Sequence, residues 1–228
     1  MKHYVSALLI ALAIVALGAS IKSGMNSIAF RDRTVTVRGL AERQVEANLV
    51  TWPISYTISG DDLASLYDKM QANNSIIVSF LTANGIDQNE ISVNPPDVYN
   101  AAANVYGGER ARYKYNFTTV ITVSTSKVDT VRSLLTRQSE LLRQGVAVNN
   151  NYINYQYTAL NDIKPEMIAE ATRNARQAAD QFAEDSKSKV GKIKTAAQGQ
   201  FSIESTDSST PHLMRVRVVS TLVYYLED

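Results

Sequence analysis

The chain is expected to fold as α+β, with helices packed on one face of largely antiparallel sheets and one N-terminal transmembrane helix ahead of them. Three observations lead there. Three long stretches alternate apolar and polar residues with a period of two, the mark of strands with one buried face. Between them lie three stretches with apolar residues at helical spacing. Ahead of them all, the 18 residues Tyr4–Ile21 carry no charge.

That opening, MKHYVSALLIALAIVALGASIKS, is either a cleaved signal or a retained anchor. A helix of this length spans about 27 Å, close to the hydrocarbon thickness of a bilayer. A cleavable signal has an apolar core of roughly 7–15 residues and small residues at −3 and −1. Cleavage after Ala19 puts Leu17 at −3, a poor fit, whereas cleavage after Ser20 puts Gly18 there, which is tolerable. The length favours retention. Residues 1–21 therefore read as a signal-anchor helix, 22–32 (KSGMNSIAFRD) as a linker, and 33–228 as the folded body. Lys2 precedes the span while Lys22, Arg31 and Arg33 follow it, so a plain positive-inside count puts the body in the cytoplasm.

In the body, a short strand is expected at Val35–Leu40. LVTWPISYTIS sets Val50, Trp52, Ile54, Tyr56 and Ile58 on one face. The first helical pattern follows, with Leu63, Leu66, Tyr67, Met70, Ile77, Phe80 and Leu81 on one stripe. Asp61 or Asp62 can cap its start, and Gly85 can close it in the left-handed conformation. Ile91–Asn94 is a short strand candidate, and RYKYNFTTVITVS sets Tyr113, Tyr115, Phe117, Thr119, Ile121 and Val123 on one side.

The second helix turns Val128, Val131, Leu134, Leu135, Leu141 and Leu142 inward. Ser126 and Asp129 resemble a capping box at its start, and Gly145 stands at its end. After a strand at Tyr152–Thr158 comes the longest helix, with Pro165 in its first turn and Ile168, Ala171, Ala175, Ala178, Ala179 and Phe182 inward. Its mixed-charge outer face (Glu170, Arg173, Arg176, Asp180, Glu184, Lys187) makes it a sheet cover rather than a partner-binding helix. Thr195–Glu204 and MRVRVVSTLVYYLE close the chain as strands, the latter with Met214, Val216, Val218, Leu222, Tyr224 and Leu226 on one face.

Composition excludes several classes of function. Some 200 residues remain after the opening, enough for one domain or two small ones. With 23 basic and 22 acidic residues there is no basic excess to hold nucleic acid. With no cysteine there is no disulfide, thiolate metal site or thiol nucleophile. His3 lies in the basic start and His212 in the polar loop STDSSTPHLM, neither beside a recognisable catalytic partner. HExxH, GxSxG, GxGxxG and P-loop patterns are absent. Asp61 and Asp62 stand where a helix begins, which suits capping better than a metal. No catalytic, cofactor-binding or metal-ligating residue is expected, and no enzyme activity.

Tyrosine is the enrichment that remains, at 12 residues against 5 Phe and 1 Trp. Such tyrosines suit half-buried strand positions, or protein interfaces where they both pack and hydrogen-bond; stacking on single-stranded nucleic acid would need a basic groove. The excursion from Asn94 to Tyr113 is too long for a hairpin loop. It is the expected subunit contact, through Pro95, Pro96, Tyr99, Tyr106, Arg110 and Tyr113.

Three segments together carry a family resemblance: VTVRGLAERQVEANLVTWPISYTI, FLTANGIDQNEISVNPPDVYN, and NYINYQYTALNDIKPEMIAEATRNARQAADQFAEDSKSKVGKI. Their order and spacing from about Val35 to the C-terminus resemble the SIMPL domain family. Those are bacterial cell-envelope proteins, some of them described as oxidative stress defence proteins. The resemblance implies an α+β body exported across the inner membrane, ring-like homo-oligomers, and no established enzyme activity. Export outweighs the charge count and puts the body in the periplasm. The expected function is a membrane-anchored homo-oligomeric scaffold of the envelope, with itself as partner. The alternative is a ligand-binding module holding a small apolar or peptide ligand between helices and sheet.

Overall fold

A computed structural model describes residues 13–15, 17, 18, 20 and 21, which are helical, and 33–104, 112–149 and 152–227. The expected span at 4–21 and the linker at 22–32 lie largely outside them. No helix among the described residues is long and apolar enough to cross a membrane. The body divides into two compact units, one formed by residues up to 43, 161–203 and from 216, the other by 44–160 and 204–215.

The strands are β1 (Thr34–Glu46), β2 (Leu49–Gly60), β3 (Ile91–Val93), β4 (Asp97–Asn100), β5 (Tyr115–Thr125), β6 (Asn154–Gln156), β7 (Lys189–Gln198), β8 (Ser202–Ser205) and β9 (Leu213–Glu227). The helices are α1 (Leu63–Ala83), α2 (Val128–Thr136), α3 (Ser139–Arg143) and α4 (Leu160–Asp185). One sheet has the order β1-β9-β7, with β8 also on β9; the other has β3-β5-β2-β6, with β4 also on β5. The pairings β2–β5, β2–β6, β3–β5, β4–β5 and β7–β9 are all antiparallel.

In the second unit, the alternation in β2 buries Val50, Trp52, Ile54, Tyr56 and Ile58, and β5 adds Phe117, Ile121 and Val123 opposite them. α1 covers this face with Leu66, Met70, Ile77, Phe80 and Leu81. Asp62 caps the helix by accepting the Ser65 N–H at 2.8 Å. Gly85, at φ +93°, ends it: its N–H reaches Thr82 O while Ile86 N–H reaches Leu81 O, the double closure of a Schellman turn. Leu63 and Tyr67, expected inward, are exposed at the first turn, and Asn73 and Asn74 are buried instead.

The second expected helix is two. α2 ends at Thr136 and α3 begins at Ser139, so that Leu141 remains buried while Leu142 faces solvent. The Ser126–Asp129 capping box does not form. The N-cap is Lys127, whose side chain has no acceptor to offer the first turn, and its own N–H donates to the Thr125 hydroxyl at 3.0 Å.

In the first unit, α4 lies on β1 and β9. Its buried row is Met167, Ala171, Ala175, Ala179 and Ala183, every fourth residue. Phe182, expected inward, is 60% exposed. The cause is Gly39 of β1: a Cβ there would run into Ala171 O and Ala175 N, so the helix backbone rests on the strand and only methyl groups fit between. Asn174 Nδ2 donates to Leu40 O at 2.7 Å beside that contact. Arg176 donates to Val190 O and Gly191 O and lies over the Tyr224 ring.

Pro165 is not in the first turn of α4, since the helix starts five residues earlier. One ladder hydrogen bond near a helix end is the cost of that placement. The strand expected at Thr195–Glu204 is two, β7 and β8, divided at Gly199, whose N–H donates to Val219 O at 2.8 Å.

Candidate interaction surface

β3 and β4 form one edge of the five-stranded sheet, and no described strand pairs with their outer side. Val93 lies opposite Ile121 and Asp97 opposite Thr118, so four steps on the edge match three on β5. The extra residue falls at Pro95–Pro96. Neither proline has an N–H to offer, and Asn94 makes the last ladder bond before them, to Val120 O at 3.0 Å. Proline at such a bulge blunts an edge against strand addition. Contact here would therefore run through side chains rather than backbone.

Those side chains are apolar and open. Val93 and Val98 share a face with buried Ile121 and Phe117, yet each is about half exposed because nothing described lies beyond the edge. Tyr99, opposite Asn116, projects from the other face and is equally open. Tyr113 is exposed beside them in sequence, with the Arg112 guanidinium 5.5 Å from its ring centre. Lys114 N–H donates to Asp61 Oδ1 at 2.8 Å, fixing the chain where it re-enters β5.

A second feature of this unit is a polar cleft of about 470 Å³ between Asn48, His212 and the start of α2. Lys127 stands at its wall and is fully engaged: Nζ donates to Gly85 O, Asp87 Oδ2 and Glu90 Oε2 at 2.9, 2.6 and 3.1 Å. The Asp87 carboxylate, and after it that of Glu90, hold the ammonium above its ordinary range. The Thr125 hydroxyl, donating to Glu90 Oε1 at 2.6 Å, is the main cause of a depressed Glu90 carboxyl; the Asp87 N–H and Lys127 add to it. This network tethers the α1 terminus to the start of α2. Glu46 and Asp129 also line the cleft, while His212 offers its carbonyl to Ala47 N–H, with its ring edge-on to Tyr155. Among the described residues, no three His, Asp or Glu side chains gather to hold a metal ion.

With this geometry, the comparison that decides the family is a match to the SIMPL family model, described as a protein of unknown function (DUF541), over residues 35–221. The chain belongs to the SIMPL family. Among curated proteins, no sequence matches it. The matched region begins in β1 and ends in β9, so it takes in both units of the body.

Within the SIMPL domain the expected contact residues divide. Pro95 and Pro96 make the bulge, Tyr99 stands in β4, and Tyr113 lies just before β5. Tyr106 and Arg110 fall outside the described residues. The first part of the expected excursion is an edge strand paired to β5, because Asp97–Asn100 finds free backbone groups there. Val93 and Val98 were missed from sequence. Their spacing is that of ordinary strand residues, and only their position at an edge that no described strand covers makes them surface.

Proposed function

We propose that this SIMPL protein is a membrane-anchored subunit of a homo-oligomeric scaffold in the bacterial periplasm, working through its surfaces. The observation that carries the reading is the β3–β4 edge, which no described strand covers: Val93, Val98 and Tyr99 are open together on either side of two prolines that discourage backbone pairing. An interface with an apolar and aromatic centre uses such side chains. The uncharged Tyr4–Ile21 stretch supports the anchor. No residue is given a catalytic role.

Light scattering on the full-length chain extracted in detergent tests the reading. A discrete multimer without added ligand supports it; a monomer across the accessible concentration range refutes it.

A further inference from the structure

A cleft of about 170 Å³ opens in the first unit between α4 and the β7–β9 ladder. Ile168 and Thr172 line it from the helix, Ala196 and Gln198 from β7, and Ser220 and Leu222 from β9. No charged side chain contributes to the wall. Ser220 belongs to the helix-facing row of β9, between Val218 and Leu222, and is only 5% exposed. Its hydroxyl has no hydrogen-bond partner among the described residues.

A buried hydroxyl without a partner is costly, and native proteins supply one, either as an ordered water or as a bound molecule. The chemistry of the wall restricts the molecule. The absence of charge excludes an ion. Ile168, Ala196 and Leu222 favour an apolar body, and Ser220 favours one hydrogen-bonding atom upon it. Size restricts it further, because an apolar cavity of roughly 150 Å³ holds one benzene.

We propose that this cleft binds a small neutral molecule, a single ring or short branched chain carrying one hydroxyl or carbonyl group. Its apolar body packs on Ile168 and Leu222, and its oxygen bonds to the Ser220 hydroxyl. The site goes beyond the scaffold reading and does not depend on it, since every lining residue lies in the first unit and the β3–β4 edge in the second.

Phenol and toluene are suitable probes, having nearly the same shape and differing by one hydroxyl. Each is titrated into the methyl-labelled full-length chain while the Ile168 and Leu222 methyl resonances are followed. Both probes shift these signals saturably, phenol about tenfold more tightly, as one hydrogen bond to a buried group provides. Ser220→Ala brings phenol to the toluene affinity and leaves toluene unchanged. Ala196→Leu fills the cleft and abolishes both, with the circular dichroism spectrum retained. Should that variant lose its fold, competition between the probes on the wild-type chain serves instead, and displacement supports one shared site. Shifts that never saturate, probes that do not compete, or a phenol affinity that Ser220→Ala leaves unchanged would overturn the proposal.

Discussion

Gly39 of β1 lies directly against Ala175 of α4: a Cβ on the glycine would stand 2.5 Å from the alanine's amide nitrogen and 2.8 Å from its methyl carbon. The obstruction is backbone rather than a side chain that can turn away, so any larger residue must lift the helix from the sheet. Gly39→Ala is expected to cost about 3 kcal/mol or more, at the upper end of overpacking. Urea denaturation followed by circular dichroism reads it. A midpoint equal to wild type would mean that α4 is not seated on β1 at this point.

That contact also marks how far the sequence could be read. The alternation in β2 announced Val50, Trp52, Ile54, Tyr56 and Ile58 as one buried face, because strand period and burial coincide there. The alanine row of α4 was legible in Ala171, Ala175 and Ala179, but its continuation into Met167 and Ala183 was not, since the phase is chosen by a glycine about 135 residues away. Asn73 and Asn74 in the buried stripe of α1 were equally hidden. Asn74 Oδ1 accepts the hydroxyl of Tyr56 at 2.7 Å, a pairing that exists only after helix and strand have met. At the candidate surface, aromatic enrichment pointed to Tyr99 and Tyr113. The role of Val93 and Val98 depends on β3 and β4 having no outer neighbour among the described residues, which is a property of the sheet rather than of the segment.

Lys187 closes α4 at φ +55°, the place and conformation that Gly85 and Gly145 occupy at the ends of α1 and α3. The same double closure forms there, from Ser188 N–H to Ala183 O and from Lys187 N–H to Glu184 O. A side chain in the left-handed region costs about 1–2 kcal/mol, which glycine avoids. Lys187→Gly is therefore expected to stabilise the protein by about 1 kcal/mol, seen as a higher urea midpoint with an unchanged slope. A lower midpoint would count against the left-handed cap.

Thr125 joins the Glu90 carboxylate to the start of α2, donating to Glu90 and accepting from the backbone N–H of Lys127. Thr125→Val keeps the shape and removes both bonds, at about 1 kcal/mol for hydrogen bonds to a part-exposed carboxylate and a backbone amide. The loss depends on pH. The folded-state carboxyl of Glu90 titrates below its ordinary 4.5, so its stabilisation is complete above that value and disappears as pH falls through the folded pKa. Wild type and variant should differ most at neutral pH and converge in acid. Urea unfolding at pH 7 and pH 3 makes the comparison, and an equal gap at both would detach the effect from Glu90.

The β3–β4 edge is the surface on which the scaffold reading depends, and charge is the sharpest way to challenge it. Val98 and Tyr99 are both about half exposed and project from opposite faces of one strand, so a neighbour meeting this edge covers both. Lysine on an edge strand is compatible with the fold, since natural sheets use it there to prevent association. An aromatic anchor at an interface centre contributes about 2 kcal/mol, and burying an unpaired ammonium in its place adds a further penalty. In a closed assembly that penalty recurs at every junction. The double variant Val98→Lys, Tyr99→Lys is expected to keep the circular dichroism spectrum and thermal midpoint of the wild type while sedimenting as smaller species. Sedimentation velocity of the detergent-extracted chain, beside a control carrying Asp162→Lys at the start of α4, measures this. If the double variant assembles as the wild type does, the edge does not hold the subunits together.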